Sequence, residues 1–102
     1  MIKQPPPYTQ LLIILIFCIA SAQHKIRIEE LIIKATIYYN QGDYSNAIII
    51  YEDLLAEQES IYENNNIEIA TTLTRLGEIY SLLGMLDTAT YYLQQAINIF
   101  EK

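Results

Sequence analysis

Two stretches of similar sequence decide the fold: GDYSNAIIIYEDLL at Gly42–Leu55 and GMLDTATYYLQQAI at Gly84–Ile97. Each begins with a glycine, has an alanine five residues later and continues with apolar residues at helical spacing. The second stretch follows the first by 42 residues, and the same offset relates the residues that precede them, which identifies an internal repeat. The matched positions are Ala35, Tyr38, Gly42, Tyr44, Ala47, Tyr51 and Leu54 in the first unit, and Gly77, Tyr80, Gly84, Leu86, Ala89, Leu93 and Ala96 in the second.

Each unit is expected to contain two helices. Leu73, Leu76, Tyr80 and Leu83 follow the i, i+3, i+7, i+10 spacing of one helix face. Gly42 and Gly84 stand where the first helix of each unit must end, because glycine adopts the left-handed conformation at little steric cost. The sequence therefore predicts an all-α fold with helices at about residues 26–40, 43–62, 67–83 and 86–101.

Polar residues mark the expected helix starts. Asp43 and Asp87 place negative charge near the start of the second helix of each unit, where the helix dipole favours it. Between the units, either Asn65 or Asn66 can cap the next helix, and Asn65 with Glu68 three residues later resembles a capping box.

The N-terminal segment has the features of a secretory signal peptide. Lys3 precedes a ten-residue apolar run, LLIILIFCIA at residues 11–20, which is about half the length of roughly 20 residues needed to cross a bilayer. The small residues Ala20 and Ala22 predict cleavage after Ala22 and export to the periplasm or the exterior. The alternatives are an uncleaved membrane anchor at residues 11–22, which would bring the chain to a membrane, and an apolar first helix packed into a longer domain.

The composition argues against several classes of function. The 102 residues include 12 acidic and 6 basic side chains, a net charge of −6 that would repel a phosphate backbone, so no nucleic-acid partner is expected. Cys18 is the only cysteine and lies in the presumed signal, and His24 is the only histidine and is expected to be solvated. We find no catalytic, metal-binding or cofactor-binding set, and we expect no enzyme and no cofactor.

The spacing of glycine, alanine and aromatic residues in the two units resembles that of tetratricopeptide repeats. The stretch IEIATTLTRLGEIYSLLG at residues 67–84 and the period of 42 residues are similar to the kinesin-light-chain-like subclass. The resemblance implies two helix-turn-helix repeats in an α-solenoid, with residues 1–22 as signal peptide, 23–27 as a short lead, 28–66 as the first repeat with its linker and 67–102 as the second. It also implies a scaffold that presents a concave groove to a peptide or protein.

The resemblance divides the singled-out residues into two sets. One set is expected to pack the helices together, namely Ala35, Tyr38, Gly42, Tyr44, Ala47, Tyr51, Gly77, Tyr80, Gly84, Leu86, Ala89, Leu93 and Ala96. The other set faces the expected groove on the first helix of each unit, namely Ile32, Thr36, Tyr39, Asn40, Thr71, Thr74, Arg75 and Glu78. Arg75 is the one cation on this groove face.

Two repeats are fewer than the three usually needed for a stable array. Three alternatives follow: the chain belongs to a larger repeat scaffold that supports a signalling or catalytic domain, it self-associates through its uncapped last helix, at Leu86, Leu93 and Ile97, or it is only weakly folded.

Overall fold

The computed structural model describes residues 3–102, which fold into four helices without a strand. They are α1 (Pro7–Asn40), α2 (Tyr44–Ile61), α3 (Ile67–Leu82) and α4 (Leu86–Phe100). The predicted all-α architecture is confirmed, and the bounds of α2, α3 and α4 agree with the prediction to within one residue at each end. Met1 and Ile2, the start of the predicted signal peptide, lie outside the described residues.

The first helix starts much earlier than the predicted residue 26. Pro6 and Pro7 form its first turn, where a missing backbone N–H is tolerated, and no glycine or proline interrupts the chain again before Gly42. Helical hydrogen bonding therefore continues through the apolar run, through the proposed cleavage site at Ala22 and through residues 23–27. The result is a single helix of 34 residues whose N-terminal half is exposed on all sides.

By length and composition α1 qualifies as a membrane-crossing helix, and a signal sequence near the N-terminus meets the same criterion. Between Pro7 and His24 it carries no Asp, Glu, Lys or Arg.

The turns within the two units have the same geometry. Gly42 and Gly84 have φ of 73° and 77°, in the left-handed region predicted for them. The amide of Asp43 donates to the Tyr38 carbonyl at 3.0 Å, and the amide of Met85 donates to the Tyr80 carbonyl at 2.9 Å. These bonds occupy carbonyls that the helix end leaves without partners, so each glycine ends one helix and reverses the chain direction.

The starts of α2 and α3 are capped by side chains. The Asp43 carboxylate accepts a hydrogen bond from the Asn46 amide at 3.3 Å. For α3 the cap is Asn66, whose side-chain oxygen accepts from the Glu68 amide at 2.7 Å. The capping box suggested for Asn65 and Glu68 is therefore not formed, because the helix begins one residue too late for Asn65 to reach it.

Small residues allow close contact between consecutive helices. Ala35 and Ala47 are fully buried between α1 and α2, and Ala89 and Ala96 are buried between α3 and α4. The larger of two apolar clusters extends from the first unit into α3, and its buried members are Ile28, Leu31, Ala35, Ala47, Tyr51, Leu54, Leu76 and Ile79. Since α2 packs against both α1 and α3, this larger cluster joins the two units.

Leu86 is the one large side chain of the packing set that is exposed. Its side chain is 64% exposed, so its assignment to the packing set is wrong. The equivalent residue in the first unit, Tyr44, is partly buried because its ring lies edge-on against Tyr39, with 6.0 Å between ring centroids. The residue of the second unit equivalent to Tyr39 is Ser81, which is too small to cover Leu86.

The remaining residues of that set differ in how deeply they are buried. Tyr51 and Gly77 are buried, whereas the rings of Tyr38 and Tyr80 are partly buried against the core. Leu93 is also partly buried, against Gly77, and the turn glycines Gly42 and Gly84 are exposed. The glycines therefore act by ending helices and contribute no buried surface.

Candidate functional site

A groove lies on the surface between α1 and α3, with α2 as its floor. It has a volume of about 360 Å³ and we call it the α1–α3 groove. α1 and α3 do not pack directly against one another in the described part of the chain, and the space between them forms the groove. Its lining residues are Lys25, Ile28, Glu29, Ile32, Thr36, Tyr51, Leu54, Gln58, Tyr62, Glu68, Thr71, Thr72 and Arg75.

Four of the eight residues predicted to face a groove line this one, namely Ile32, Thr36, Thr71 and Arg75. Tyr39 and Glu78 line an adjoining depression that also contains Arg75, and Thr74 lies in a third, beside Phe100. Asn40 lines none of these cavities. Six of the predicted residues therefore share a cavity with Arg75, and Asn40 is separate from them.

The threonines of this surface already use their hydroxyl hydrogens. Thr36 donates to the Ile32 carbonyl at 2.7 Å, and Thr71 donates to the Ile67 carbonyl at 3.0 Å. Thr74 makes the same bond to the carbonyl four residues before it, at 2.8 Å. A ligand would meet their methyl groups and oxygen lone pairs, because the one donor of each hydroxyl is occupied.

Arg75 is held by its neighbours. Its Nη1 donates to Glu78 Oε2 at 3.0 Å, and its guanidinium carbon lies 5.6 Å from the centroid of the Tyr39 ring. The hydrogen bond to Glu78 raises the pKa of Arg75, so the side chain stays charged. The Glu78 carboxylate therefore competes with any acidic ligand for this guanidinium.

A buried polar pair on the groove floor is absent from the sequence-based set. Gln58 and Thr72 are 2% and 3% exposed, and the Thr72 hydroxyl lies 2.7 Å from the Gln58 side-chain oxygen. The spacing contains a signal for Gln58, which continues the buried stripe of Ala47, Tyr51 and Leu54 by one more turn of α2. Glu29 and Glu68 are also absent from that set. They lie about one helical turn before Ile32 and Thr71, so the same spacing could have identified them as groove residues.

The middle of α1, at His24 and Arg27, contacts α2 through charged side chains. His24 Nδ1 contacts Glu57 Oε1, and Arg27 Nε lies 3.3 Å from Glu57 Oε2. The hydrogen bond from His24, followed by the charges of His24 and Arg27, lowers the pKa of Glu57 in spite of its desolvation. His24 therefore takes part in an interhelical contact, although the sequence predicted a solvated terminal residue.

The helix pairs, the left-handed glycine turns and the groove between alternate helices define a helical repeat protein that presents a concave surface. The sequence profile described as tetratricopeptide repeat matches residues 31–102, and the chain belongs to this family. No curated protein matches the chain. Tetratricopeptide repeats are generally non-catalytic modules of protein–protein interaction, which agrees with the fold and with the predicted class.

Proposed function

We propose that this protein is a non-enzymatic interaction module that binds a segment of another protein in the α1–α3 groove. The groove carries the proposal, because it places exposed apolar surface from Ile32 beside the polar side chains of Gln58 and Arg75. An apolar cleft with a few fixed polar groups is the usual form of a recognition site. Family membership supports the same class of function.

Site-specific photo-crosslinking tests this proposal. A photoreactive residue at Thr36 or at Thr71 would lie in the groove, whereas one at Thr90 would lie on the exposed surface of α4. Thr90 is a matched control, because its hydroxyl also donates to the carbonyl four residues before it, at 2.8 Å. We expect adducts with the same partner from both groove positions and none from Thr90. Adducts of equal yield at all three positions, or none in the groove, would refute the proposal.

We further propose that the protein is exported and that residues 1–22 are its signal peptide. The basic start, the apolar run and the small residues before Gln23 support this proposal. Cleavage after Ala22 would leave every residue that lines the groove in the mature chain, since Lys25 is the first of them. Intact-mass measurement on protein from the exported fraction is expected to give a chain starting at Gln23.

The alternative to cleavage is a membrane anchor. The part of α1 from residue 7 to residue 23 has no charged side chain and would be about 26 Å long at 1.5 Å per residue, close to the roughly 30 Å of a hydrocarbon core. A full-length mass, together with retention in membranes after alkaline extraction, would show that this segment is a membrane anchor and not a cleaved signal peptide.

A second candidate function is that of a scaffold unit, in which α4 contacts a further repeat or a second copy of the chain. The observation in its favour is the exposure of Leu86, Ile97 and Phe100 on this helix. Sedimentation of the native protein and of an Ile97→Glu variant tests self-association. We expect the variant to sediment as a smaller species, and identical monomeric behaviour of the two proteins would exclude assembly of copies through this face.

A further inference from the structure

The two carboxylates of the α1–α3 groove have no cationic partner. Within residues 3–102 the ion pairs join Glu57 to His24 and Arg27, and Glu78 to Arg75. Glu29 and Glu68 take part in none of them, although they approach the groove from opposite sides, on α1 and α3. The groove therefore contains two negative charges that are not neutralised within the described part of the chain.

Tyr62 lines the groove together with both carboxylates. Hydrogen bonding to Glu68, then desolvation, and then the charges of Glu68 and Glu29 raise the pKa of Tyr62. Both carboxylates thus act on a single side chain that also lines the groove. Their convergence makes this end of the groove a place where a cation would be stabilised.

Gln58 supplies a second, independent observation. Its side chain is 2% exposed and lines the groove. Among the described residues its amide makes one hydrogen bond, to Thr72. A primary amide has an oxygen at one end and an NH₂ group at the other, so whichever end Thr72 holds, the other end remains without a partner. No buried side-chain polar atom of residues 3–102 lacks a hydrogen-bond partner, so this other end of the amide is open to the groove, where a ligand can bond to it.

The opposite end of the groove has no comparable capacity for an anion. Arg75 is paired with Glu78 and lies over the Tyr39 ring. Lys25 also lines the groove and takes no part in the ion pairs above, so it supplies one positive charge against the two carboxylates. The balance of uncompensated charge in the groove is negative.

We propose that the α1–α3 groove recognises a basic segment of a partner protein, with a lysine or arginine side chain between Glu29 and Glu68 and a main-chain amide against Gln58. An apolar residue beside the cation would lie on Ile32. This inference rests on the proposed function, since it assigns the chemistry of the ligand to the same groove. It differs from the expectation that Arg75 would select an acidic partner.

The test is the selection of peptides from a displayed library of random dodecapeptides by the full chain in a non-ionic detergent. The library is applied to the wild type, to the Glu29→Lys/Glu68→Lys variant and to a control, Glu30→Lys/Glu63→Lys. Glu30 and Glu63 are exposed and line none of the cavities, so the control has the same net charge with the groove unchanged. The control separates recognition from the general attraction of an acidic protein for basic peptides.

We expect the wild type and the control to enrich lysine and arginine, and the groove variant to lose this enrichment. For one enriched peptide, the groove variant is expected to bind roughly tenfold more weakly or worse. Gln58→Met, which keeps the volume and removes the amide, is expected to weaken binding by roughly three- to tenfold. Circular dichroism of each variant checks that its helices are intact.

Different failures have different meanings. The basic-segment proposal would be overturned if the enriched peptides had no excess of lysine and arginine, or if the groove variant and the control lost this enrichment equally. Crosslinks at Thr36 and Thr71 would in that case still support a groove function. If no peptide were enriched, the basic-segment proposal would be overturned, and the absence of crosslinks as well would overturn the groove function itself.

Discussion

Replacement of Gly77 by alanine tests the packing of α3 on α4 most directly. Gly77 is buried in α3, and a Cβ atom there would lie 2.5 Å from Leu93 Cγ, 2.6 Å from Leu93 Cδ2 and 3.3 Å from the Ala89 carbonyl oxygen. Cγ is the branch point of leucine, so the overlap cannot be relieved by moving a terminal methyl group alone. Either Leu93 changes rotamer or the two helices move apart.

The sign of the effect follows from two opposing contributions. Alanine in place of glycine in a helix interior stabilises the helix by about 1 kcal/mol. Overpacking of a close contact costs about 1–3 kcal/mol. Because the overlap at Gly77 involves a branch point and a backbone oxygen, we expect overpacking to exceed the gain and the free energy of unfolding to fall by up to about 2 kcal/mol. For a domain of this size, each kcal/mol corresponds to a shift in Tm of roughly 4–8 °C.

A double-mutant cycle with Leu93→Ala isolates this contact. Removal of the partly buried Leu93 side chain is expected to destabilise the protein by itself, by about 1 kcal/mol or more. In that background the overlap is gone, so Gly77→Ala is expected to be neutral or to stabilise by about 1 kcal/mol. Urea denaturation of the full chain, followed by circular dichroism at about 222 nm, measures all four free energies of unfolding.

The turn glycines provide the control. At Gly42 and Gly84 a Cβ would meet no atom within 4 Å, but their φ angles of 73° and 77° impose strain on any other residue. Alanine there is expected to cost about 1 kcal/mol, and Leu93→Ala should not rescue it. If Gly77→Ala raised the urea midpoint of the otherwise unchanged protein, the close contact between α3 and α4 would be refuted.

Three further predictions concern single polar contacts. Asn66→Ala should lower the free energy of unfolding by about 1 kcal/mol through loss of the α3 cap, whereas Asn65→Ala should leave the urea midpoint unchanged; equal effects would contradict the cap assignment. Thr72→Val should cost about 1–3 kcal/mol because it removes a partner of the buried Gln58 amide, and an unaltered urea midpoint would count against that buried hydrogen bond. The pKa of Glu57 is lowered in the folded protein, so its ionised carboxylate adds to the free energy of unfolding at a pH above the ordinary glutamate pKa of about 4.3. This stabilisation is lost as the pH falls through the pKa of Glu57 in the folded protein. The difference in Tm between wild type and Glu57→Gln should therefore vanish in strong acid, and a difference independent of pH would exclude the ion pairs as its source.

The sequence was sufficient to predict α2, α3, α4, the end of α1 and the pairing of the helices, because these depend on local properties, whereas the start of α1 was placed too late. Gly42 and Gly84 end helices since their backbones tolerate a positive φ, and this property belongs to the residue itself. The offset between Ala47 and Ala89 identified the repeat, and the profile match over residues 31–102 confirms the family. The closer similarity to the kinesin-light-chain-like subclass remains a prediction.

The site was less predictable, because it depends on which helices meet. Spacing placed Thr36, Thr71 and Arg75 on a common face, but it could not show that Glu78 and Tyr39 would occupy the charge of Arg75. That arrangement requires α1 and α3 to be brought together across α2. The same holds for Gln58, whose exposure of 2% depends on Thr72 of the following helix.

The sequence by itself determined where helices end, which small residues lie between them and that the chain is built from a repeated unit, since each depends on backbone preference or on periodicity within one helix. The tertiary structure decided the chemistry of the groove. It brought Glu29 and Glu68 from two helices to one groove and left one end of the buried Gln58 side chain open to that groove. It also left Leu86 uncovered, because Ser81 across from it is small. These outcomes depend on distances between side chains far apart in the chain, which a one-dimensional pattern does not specify.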